Sequence, residues 1–297
     1  MKRIGIIGLG DMGMGLSRNI IKGGFELTGF DLREERLQML SAAGGKRGAS
    51  VADVGENSDA VFVMVLNGQQ ALRVVGGDDG LRSSMKRGAA IIVSATIEPR
   101  EVREIEKLLH GTGIEIIDTP VSGGQSGAES GTLTLMAAAK KEVFAAQQDV
   151  LQAVGKDIFH VGEEIGMGQT VKASLQALIG STFAAIFESL VLGSKAGIPG
   201  RVLYEVFTSS GVHSPLLESC VKRIMDREFK HTGSHIGTMY KDLGITMSMA
   251  KDNGVAMFTT SSAYELFQAG ISLFPEEDNW SIVKLLEQIA DTQVIWD

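Results

Sequence analysis

Residues 4–20 read IGIIGLGDMGMGLSRNI, an apolar run followed directly by a stretch rich in glycine. Gly8, Gly10 and Gly13 have the G-x-G-x-x-G spacing of a dinucleotide-binding turn between a strand and a helix. The first glycine permits a tight turn, the second lets the backbone approach a pyrophosphate, and the third allows close helix-to-strand packing. The phosphates would then lie on the free amides of the helix N-terminus. The stretch predicts a cofactor loop made of Gly8, Leu9, Gly10, Asp11, Met12 and Gly13.

Asp31 supports this interpretation, because it ends the next predicted strand, ELTGFD, about twenty residues after the glycines. A carboxylate at this place accepts hydrogen bonds from the adenosine ribose hydroxyls, and its charge repels the 2′-phosphate of NADP. We therefore expect NAD as the cofactor in preference to NADP. Arg33 follows two residues later, where it could stack on the adenine, meet a phosphate or simply be solvated.

Short β-branched runs alternate with helical patterns through the first half of the chain, as in RIGIIGL, ELTGFDL, DAVFVMVL and AAIIVSAT. This alternation predicts a mostly parallel sheet covered on both faces. After DIFHVGEEIGMG the strands stop, and successive helices follow, the first a long apolar one from Thr170 to Ala196. The expected fold is α/β: an NAD(P)-binding Rossmann domain with a doubly wound sheet at residues 1–161, then an all-α domain at residues 162–297, with a long interdomain helix.

The composition argues against several classes of protein. The 297 residues carry a formal net charge of -8 without a basic stripe, so we expect no nucleic-acid partner. The single cysteine, Cys220, fits a reducing compartment and a structural role, and we expect no metal site. Glu188 interrupts the apolar stretch GSTFAAIFESLVLG, so we expect no membrane partner and a cytoplasmic location.

One later stretch, DTPVSGG at residues 118–124, follows a predicted strand. Ligands of open α/β sheets bind outside the carboxyl ends of the strands. Ser122 and the amides of Gly123 and Gly124 could therefore bind a carboxylate, although the stretch could also be an ordinary turn.

Two further stretches place charged residues on apolar helices. In GMGQTVKASLQ, Lys172 and Gln176 are four residues apart and share a helix face. A lysine there is costly unless it has a partner or a task, or unless its amine extends to the surface. Lys241 and Asp242, in YKDLGIT, begin another apolar helix and could be a surface ion pair.

Four stretches of the sequence together resemble the β-hydroxyacid dehydrogenase family, in the same order and over essentially the whole chain. They are the G-x-G-x-x-G fingerprint, DTPVSGG followed by GAESGTLTLMAAA, the stretch around Lys172, and KDLG. The resemblance implies an NAD(P)-dependent enzyme that oxidises the hydroxyl of a small hydroxy acid. It also implies a long helix that supports a homodimer or homotetramer. By position, Lys172 corresponds to the catalytic lysine of the family. The residue type suits this role, because an amine near the hydroxyl can accept its proton or stabilise the oxyanion.

The resemblance also implies roles for other residues. Ser122, Gly123 and Gly124 correspond to the carboxylate-binding loop, and Lys241 to a lysine that reaches the substrate and the nicotinamide. The cofactor contacts of the family correspond to Leu66, Asn67 and Thr96.

Two departures from the common family pattern bear on the substrate. Gln176 stands where the family usually has asparagine, and VSATI has Val93 and Ala95 where many members have Asp-x-Ser. Both are similar to the L-threonate dehydrogenase branch, which implies a C4 sugar acid as substrate and a place in carbohydrate metabolism. His213, with Ser214, could bind substrate hydroxyls or cap a helix.

Other functions stay open at this point. Within the same chemistry, the substrate could be 3-hydroxyisobutyrate, 2-(hydroxymethyl)glutarate or tartronate semialdehyde, and a dicarboxylate would need a second cation such as Lys222 or Arg223. A different class is a non-catalytic sensor of NAD. A decarboxylating sugar-phosphate dehydrogenase is disfavoured, because no cluster of phosphate-binding arginines and lysines is apparent.

Overall fold

The structure is a computed structural model that describes residues 2–297. The chain divides into two compact units, the first running up to Lys172 and the second covering Ala173–Asp297. The sequence-based boundary near residue 161 falls at the end of the last strand, before this division. The difference arises because the first turns of the next helix are bonded to the sheet unit, as the hydrogen bonds of Gln169 show.

The first unit alternates strands and helices, as the sequence pattern predicts. Its elements are β1 (Arg3–Ile7), α1 (Asp11–Lys22), β2 (Glu26–Phe30), α2 (Glu34–Ala42), β3 (Lys46–Arg47), α3 (Val51–Glu56), β4 (Ala60–Val63), α4 (Gly68–Gly76), α5 (Leu81–Ser84), β5 (Ala90–Val93), α6 (Pro99–Leu109), β6 (Glu115–Asp118), β7 (Val121–Ser122), α7 (Gly124–Ser130), β8 (Leu133–Ala138), α8 (Lys141–Ala146), α9 (Gln148–Val154) and β9 (Gly155–Gly162).

Within residues 2–297, nine strands form one sheet in the order β3-β2-β1-β4-β5-β6-β8-β7, with β9 paired to β8. The pairs are parallel, except that β8 runs antiparallel to β6 and β7. The chain leaves β1 for β2 on one side and returns to β4 on the other, which makes the carboxyl end of β1 a switch point where ligands bind in such sheets. The register keeps the carboxyl ends of β1, β4, β5 and β6 level.

The central strands β4 and β5 are apolar at every position because both faces of the sheet are covered. In β4, Ala60 and Phe62 face one hydrophobic cluster, whereas Val61 and Val63 face the other. Helices α1, α2 and α9 cover the first face, and α3, α4 and α6 cover the second. The expected doubly wound Rossmann fold is confirmed.

The second unit is helical, and its first helix begins inside the sheet unit. The helices are α10 (Met167–Lys195), α11 (Gly200–Ser209), α12 (Pro215–Met225), α13 (Ile236–Asp252), α14 (Phe258–Leu273) and α15 (Ile282–Ala290), with a 3₁₀ turn at Asn279–Ser281. Phe183, Phe187, Phe267 and Trp280 pack together in the core of this unit. The predicted all-α domain and its long helix are therefore present.

Helix α10 contains an 18-residue stretch that is long and apolar enough to cross a membrane, contrary to the expectation from Glu188. Length and composition alone do not identify a membrane span, because core helices of soluble proteins pass the same test.

Candidate functional site

The glycine turn between β1 and α1 is built by close contact between backbone segments. Gly8 has a φ of +94°, and a Cβ at this position would overlap the carbonyl oxygen of Met64. A Cβ on Gly13 would likewise overlap the carbonyl oxygen of Gly8. At Gly10, in contrast, the nearest atom to a Cβ is a guanidinium nitrogen of Arg33, at 4.0 Å. Gly8 and Gly13 are thus required by packing, whereas Gly10 leaves space for a ligand.

The N-terminus of α1 suits an anion. Gly10 is its N-cap and has no side chain to bond the first amides. Such amides, together with the helix dipole, attract phosphate. Asp11 lies in this first turn, but its carboxylate is paired with Arg36 at 3.0 Å, which offsets its charge. Neither the pairing nor Arg36 was predicted from the sequence, since Arg36 belongs to the next helix.

Asp31 lies directly beside this turn. Its Oδ2 accepts a hydrogen bond from the Leu9 amide at 2.7 Å, and its Oδ1 accepts from the Arg33 amide at 2.9 Å. The Arg33 side chain adds an ion pair of 3.3 Å, so Arg33 is paired as well as half exposed. Partial burial acts to raise the pKa of Asp31, but these bonds outweigh it and hold the pKa below its usual value. Asp31 is therefore ionised at neutral pH, as an acceptor for ribose hydroxyls must be.

The other predicted cofactor residues follow the carboxyl ends of β4 and β5. The Leu66 side chain is exposed, and the Leu66 amide donates to the Gln70 side chain. Asn67 is the N-cap of α4, where its Oδ1 accepts from the Gln70 amide at 2.9 Å. Thr96 is half buried between Ala95 and Ile97. The Asn67 side chain is thus engaged in capping.

The DTPVSGG segment forms β7 and a glycine turn. Ser122 pairs with Thr134 of β8 and is half buried. Gly123 and Gly124 have φ values of +127° and +60°, in the left-handed region that side chains disfavour. The backbone of both glycines is exposed, so their amides can be reached by a small anion.

Lys172 is buried on the second turn of α10, at 6% exposure. A buried amine requires a partner or a chemical task, so the surface alternative for this lysine is excluded.

Gln176, one turn further along α10, lies in a polar cluster of the helical unit. Its Nε2 donates to Asp242 Oδ2 at 2.6 Å, and Asp242 Oδ1 lies 2.9 Å from Lys241 Nζ. Asp242 is almost fully buried, so the alternative of a surface ion pair does not hold. The sequence did not indicate Asp242 as a site residue, although a carboxylate in an apolar helix was the available signal.

His213 and Ser214 match the helix-cap alternative. The Ser214 hydroxyl accepts from the Leu217 amide and caps α12, and His213 Nε2 lies 3.2 Å from Glu218. The two cations considered for a dicarboxylate are also paired, Lys222 with Asp226 and Arg223 with Glu228. Among residues 2–297, no group of three or more His, Cys, Asp or Glu side chains is arranged to hold a metal ion.

Two family models match the chain. One, described as the NAD binding domain of 6-phosphogluconate dehydrogenase, matches residues 3–162. The other, described as "NAD-binding of NADP-dependent 3-hydroxyisobutyrate dehydrogenase", matches residues 166–286. Together they cover both units of the structure.

Similar proteins match over nearly their full length. The L-threonate dehydrogenase of Haemophilus influenzae is 35% identical over 97% of this chain and 96% of its own. The 2-(hydroxymethyl)glutarate dehydrogenase of Eubacterium barkeri is 33% identical over 98% of this chain and 97% of its own. A crystal structure of 3-hydroxyisobutyrate dehydrogenase from Salmonella typhimurium is 31% identical, with a TM-score of 0.86 over 96% of this chain and 100% of that one.

Two alanine variants separate the packing role of the glycine turn from its ligand role. Gly13→Ala forces a Cβ against the Gly8 carbonyl. We therefore expect the free energy of unfolding, measured by thermal denaturation, to fall by about 1–3 kcal/mol. Gly10→Ala has space and a φ of -61°, so its stability should match that of the wild type. Its Kd for NADH, measured by fluorescence titration, should nevertheless rise by at least about tenfold, or about 1.4 kcal/mol. Unchanged NADH binding by Gly10→Ala would contradict the assignment of this turn.

Proposed function

We propose that this chain, which belongs to the 3-hydroxyisobutyrate dehydrogenase family, oxidises a hydroxyl group of a C4 sugar acid such as L-threonate. The family makes the protein an NAD-dependent hydroxyacid dehydrogenase with an NAD-binding Rossmann domain. The observation that carries the catalytic assignment is the burial of the lysine residue Lys172 on α10. A non-catalytic sensor of NAD has no need of such an amine, so the sensor hypothesis is not favoured.

The residues present fit a dinucleotide, since Gly10 leaves space at the N-terminus of α1 and Asp31 presents an ionised acceptor beside it. NAD, when bound, accepts the hydride from the carbinol carbon of the substrate. Lys172 Nζ in its neutral form accepts the hydroxyl proton as the C–O bond becomes a carbonyl. Ser122 and the amides of Gly123 and Gly124 would hold the substrate carboxylate. The role of Lys241 in substrate and nicotinamide binding is proposed from the family resemblance alone.

Gln176 supports a polyhydroxylated substrate. Asp242 accepts a hydrogen bond from its Nε2, which leaves Oε1 as the end of the amide that could accept from a ligand. A substrate hydroxyl would then donate to Oε1, and the extra methylene relative to asparagine alters how far this acceptor reaches. The L-threonate dehydrogenase relative supports the same substrate class. The role proposed for His213 has less support, because its ring faces Glu218.

NAD is the proposed cofactor, although one of the matching family models is described with NADP. The ionised Asp31 would repel a 2′-phosphate. The runner-up substrates are 3-hydroxyisobutyrate, tartronate semialdehyde and 2-(hydroxymethyl)glutarate, the last named in a relative. The pairing of Lys222 and Arg223 with acidic neighbours disfavours a dicarboxylate.

The protein is further proposed to be a cytoplasmic homodimer or homotetramer. Leu178, Ala185 and Leu192 are exposed along α10 at intervals of seven residues, the spacing of a helix-pairing stripe. Leu178 and Leu192 are 66% and 72% exposed, a large apolar area for a helix to leave in water. The buried, free Cys220 is compatible with a reducing compartment.

Replacement of the buried lysine tests the catalytic assignment. Lys172→Ala removes the proton acceptor, so we expect kcat to fall by about 10²- to 10⁴-fold. The Kd for NADH should stay within about twofold of the wild-type value, because the glycine turn is untouched. Lys195→Ala, on the exposed end of the same helix, is the matched control and should retain full activity. Unchanged turnover by Lys172→Ala would remove this residue from the mechanism.

A substrate screen tests the proposed specificity. L-threonate, 3-hydroxyisobutyrate, 2-(hydroxymethyl)glutarate and L-serine are supplied with NAD or NADP, and reduced cofactor is followed by absorbance; tartronate semialdehyde is supplied with NADH or NADPH. We expect the highest kcat/KM with L-threonate and NAD. A higher value for another acid would overturn the substrate, and activity with NADP alone would overturn the role of Asp31.

The α10 stripe predicts the state of association. Leu178→Glu combined with Leu192→Glu should shift the mass measured by light scattering from a multimer to a monomer, because charges cannot pack in an apolar seam. Ile289→Glu, at an exposed apolar position of α15, is the control and should leave the multimer intact. A wild-type chain that is monomeric at micromolar concentration would contradict the proposal.

A further inference from the structure

A buried carboxylate holds the beginning of α10. Asp118, the last residue of β6, is fully buried. Its Oδ2 accepts hydrogen bonds from the amides of Gly166 at 2.9 Å and Gln169 at 3.3 Å. These amides belong to the N-terminus of a helix that starts at Met167, where amides have no partner within the helix. Asp118 therefore caps α10 from a strand that lies far away in the sequence.

The Gln169 side chain extends this contact to a third segment. Its Nε2 donates to Asp118 Oδ1 at 3.0 Å and to the Ala95 carbonyl at 3.0 Å, and its Oε1 accepts from the Ile97 amide at 3.1 Å. Ala95 and Ile97 are the two neighbours of Thr96. One buried amide thus binds the backbone on both sides of the proposed cofactor residue.

The contact is close because the helix begins with small residues. A Cβ on Gly168 would lie 2.5 Å from the Met136 carbonyl oxygen and 2.6 Å from that of Asp118, so only glycine permits this approach. Gly166 has a φ of +102°, which turns the chain into the helix. The first turn of α10 is therefore packed against the end of β6 and the backbone of β8 at Met136.

Burying a carboxylate between these elements costs free energy. Burial raises the pKa of Asp118 to about 6, even though the hydrogen bonds from Gln169 and Gly166 act against it. Apolar residues of similar volume often replace buried charges without loss of stability. A carboxylate differs from them in fixing the direction of several donors at once.

We propose that Asp118 and Gln169 are positioning residues that set Lys172 and Thr96 in one fixed arrangement for hydride and proton removal. Lys172 lies three residues after Gln169, less than one helical turn along, so a fixed first turn fixes its Cα. Thr96 lies between the two backbone groups that Gln169 holds. This inference rests on the proposed function, which assigns Lys172 as catalytic and Thr96 as a cofactor contact.

The decisive experiment is a double-mutant cycle between positions 118 and 172. Asp118→Asn keeps the shape but replaces one acceptor oxygen with an NH₂ group that faces donors. A displacement of about 1 Å in a catalytic group can cost about 10²-fold, so kcat should fall by about 10- to 100-fold with KM for the hydroxy acid nearly unchanged. In a Lys172→Ala background the same change should cost much less in kcat, because the part of its effect that acts through the amine is already lost and only the part that acts through Thr96 is left.

Asp59→Asn is the matched control. Asp59 also accepts a backbone hydrogen bond, from Arg3 at 2.8 Å, but it precedes β4 at the opposite edge of the sheet. Its replacement should lower stability and leave kcat unchanged. Gln169→Met, which removes the bonds of the amide while keeping its size, serves as the second variant if Asp118→Asn does not fold.

The outcomes separate the two proposals. If Lys172→Ala has full activity, the proposed function fails. If Lys172→Ala is inactive but Asp118→Asn and Gln169→Met keep wild-type kcat, only the positioning role is overturned. Equal losses from Asp118→Asn in both backgrounds would also overturn it, since they would indicate general damage to the structure.

Discussion

Close approach of backbone to backbone at the carboxyl edge of the sheet is the constraint on which this structure depends. Gly13 lies against the Gly8 carbonyl, Gly8 lies against that of Met64, and Gly168 lies against the backbone of β6 and β8. At each point a side chain would separate elements that must touch. The same contacts bring two helix N-termini, those of α1 and α10, onto one edge of the sheet unit. One is open to an anionic ligand, and the other is closed by the protein's own carboxylate at Asp118.

The sequence predicted the fold because the deciding signals are local. Continuous apolar strands and the G-x-G-x-x-G turn are readable within a few residues, and they correctly indicated a doubly wound sheet followed by helices. The two-residue strand β3 and the antiparallel β8 were not predicted, since their pairing depends on partners elsewhere in the chain. Helix α10 begins at Met167 and not at Thr170, because its first turn is stabilised by Asp118 from outside the helix.

The residues of the site fall into the same two groups, those that local sequence predicts and those that depend on distant segments. The glycines of the cofactor turn and Asp31 follow from spacing and backbone geometry, and the structure shows these residues in contact around one turn. Asp118, Gln169 and Asp242 were missed because their importance comes from burial beside distant segments. Polar residues at helix starts were ambiguous for another reason. The pair His213 and Ser214 was left open between a substrate contact and a helix cap, and the Ser214 hydroxyl caps α12. The Asn67 side chain caps α4, and its cofactor contact stays a prediction.

The lone cysteine has a practical consequence. Cys220 is completely buried in the helical core, and burial raises the pKa of its thiol far above neutrality. The thiolate is the form that attacks maleimides and thiol-directed spin labels, so the native protein should be inert toward these reagents. With Lys195→Cys, at an exposed position, the new thiol would then be labelled selectively without replacement of Cys220. Distance measurements by fluorescence or electron paramagnetic resonance can therefore begin from the wild-type background.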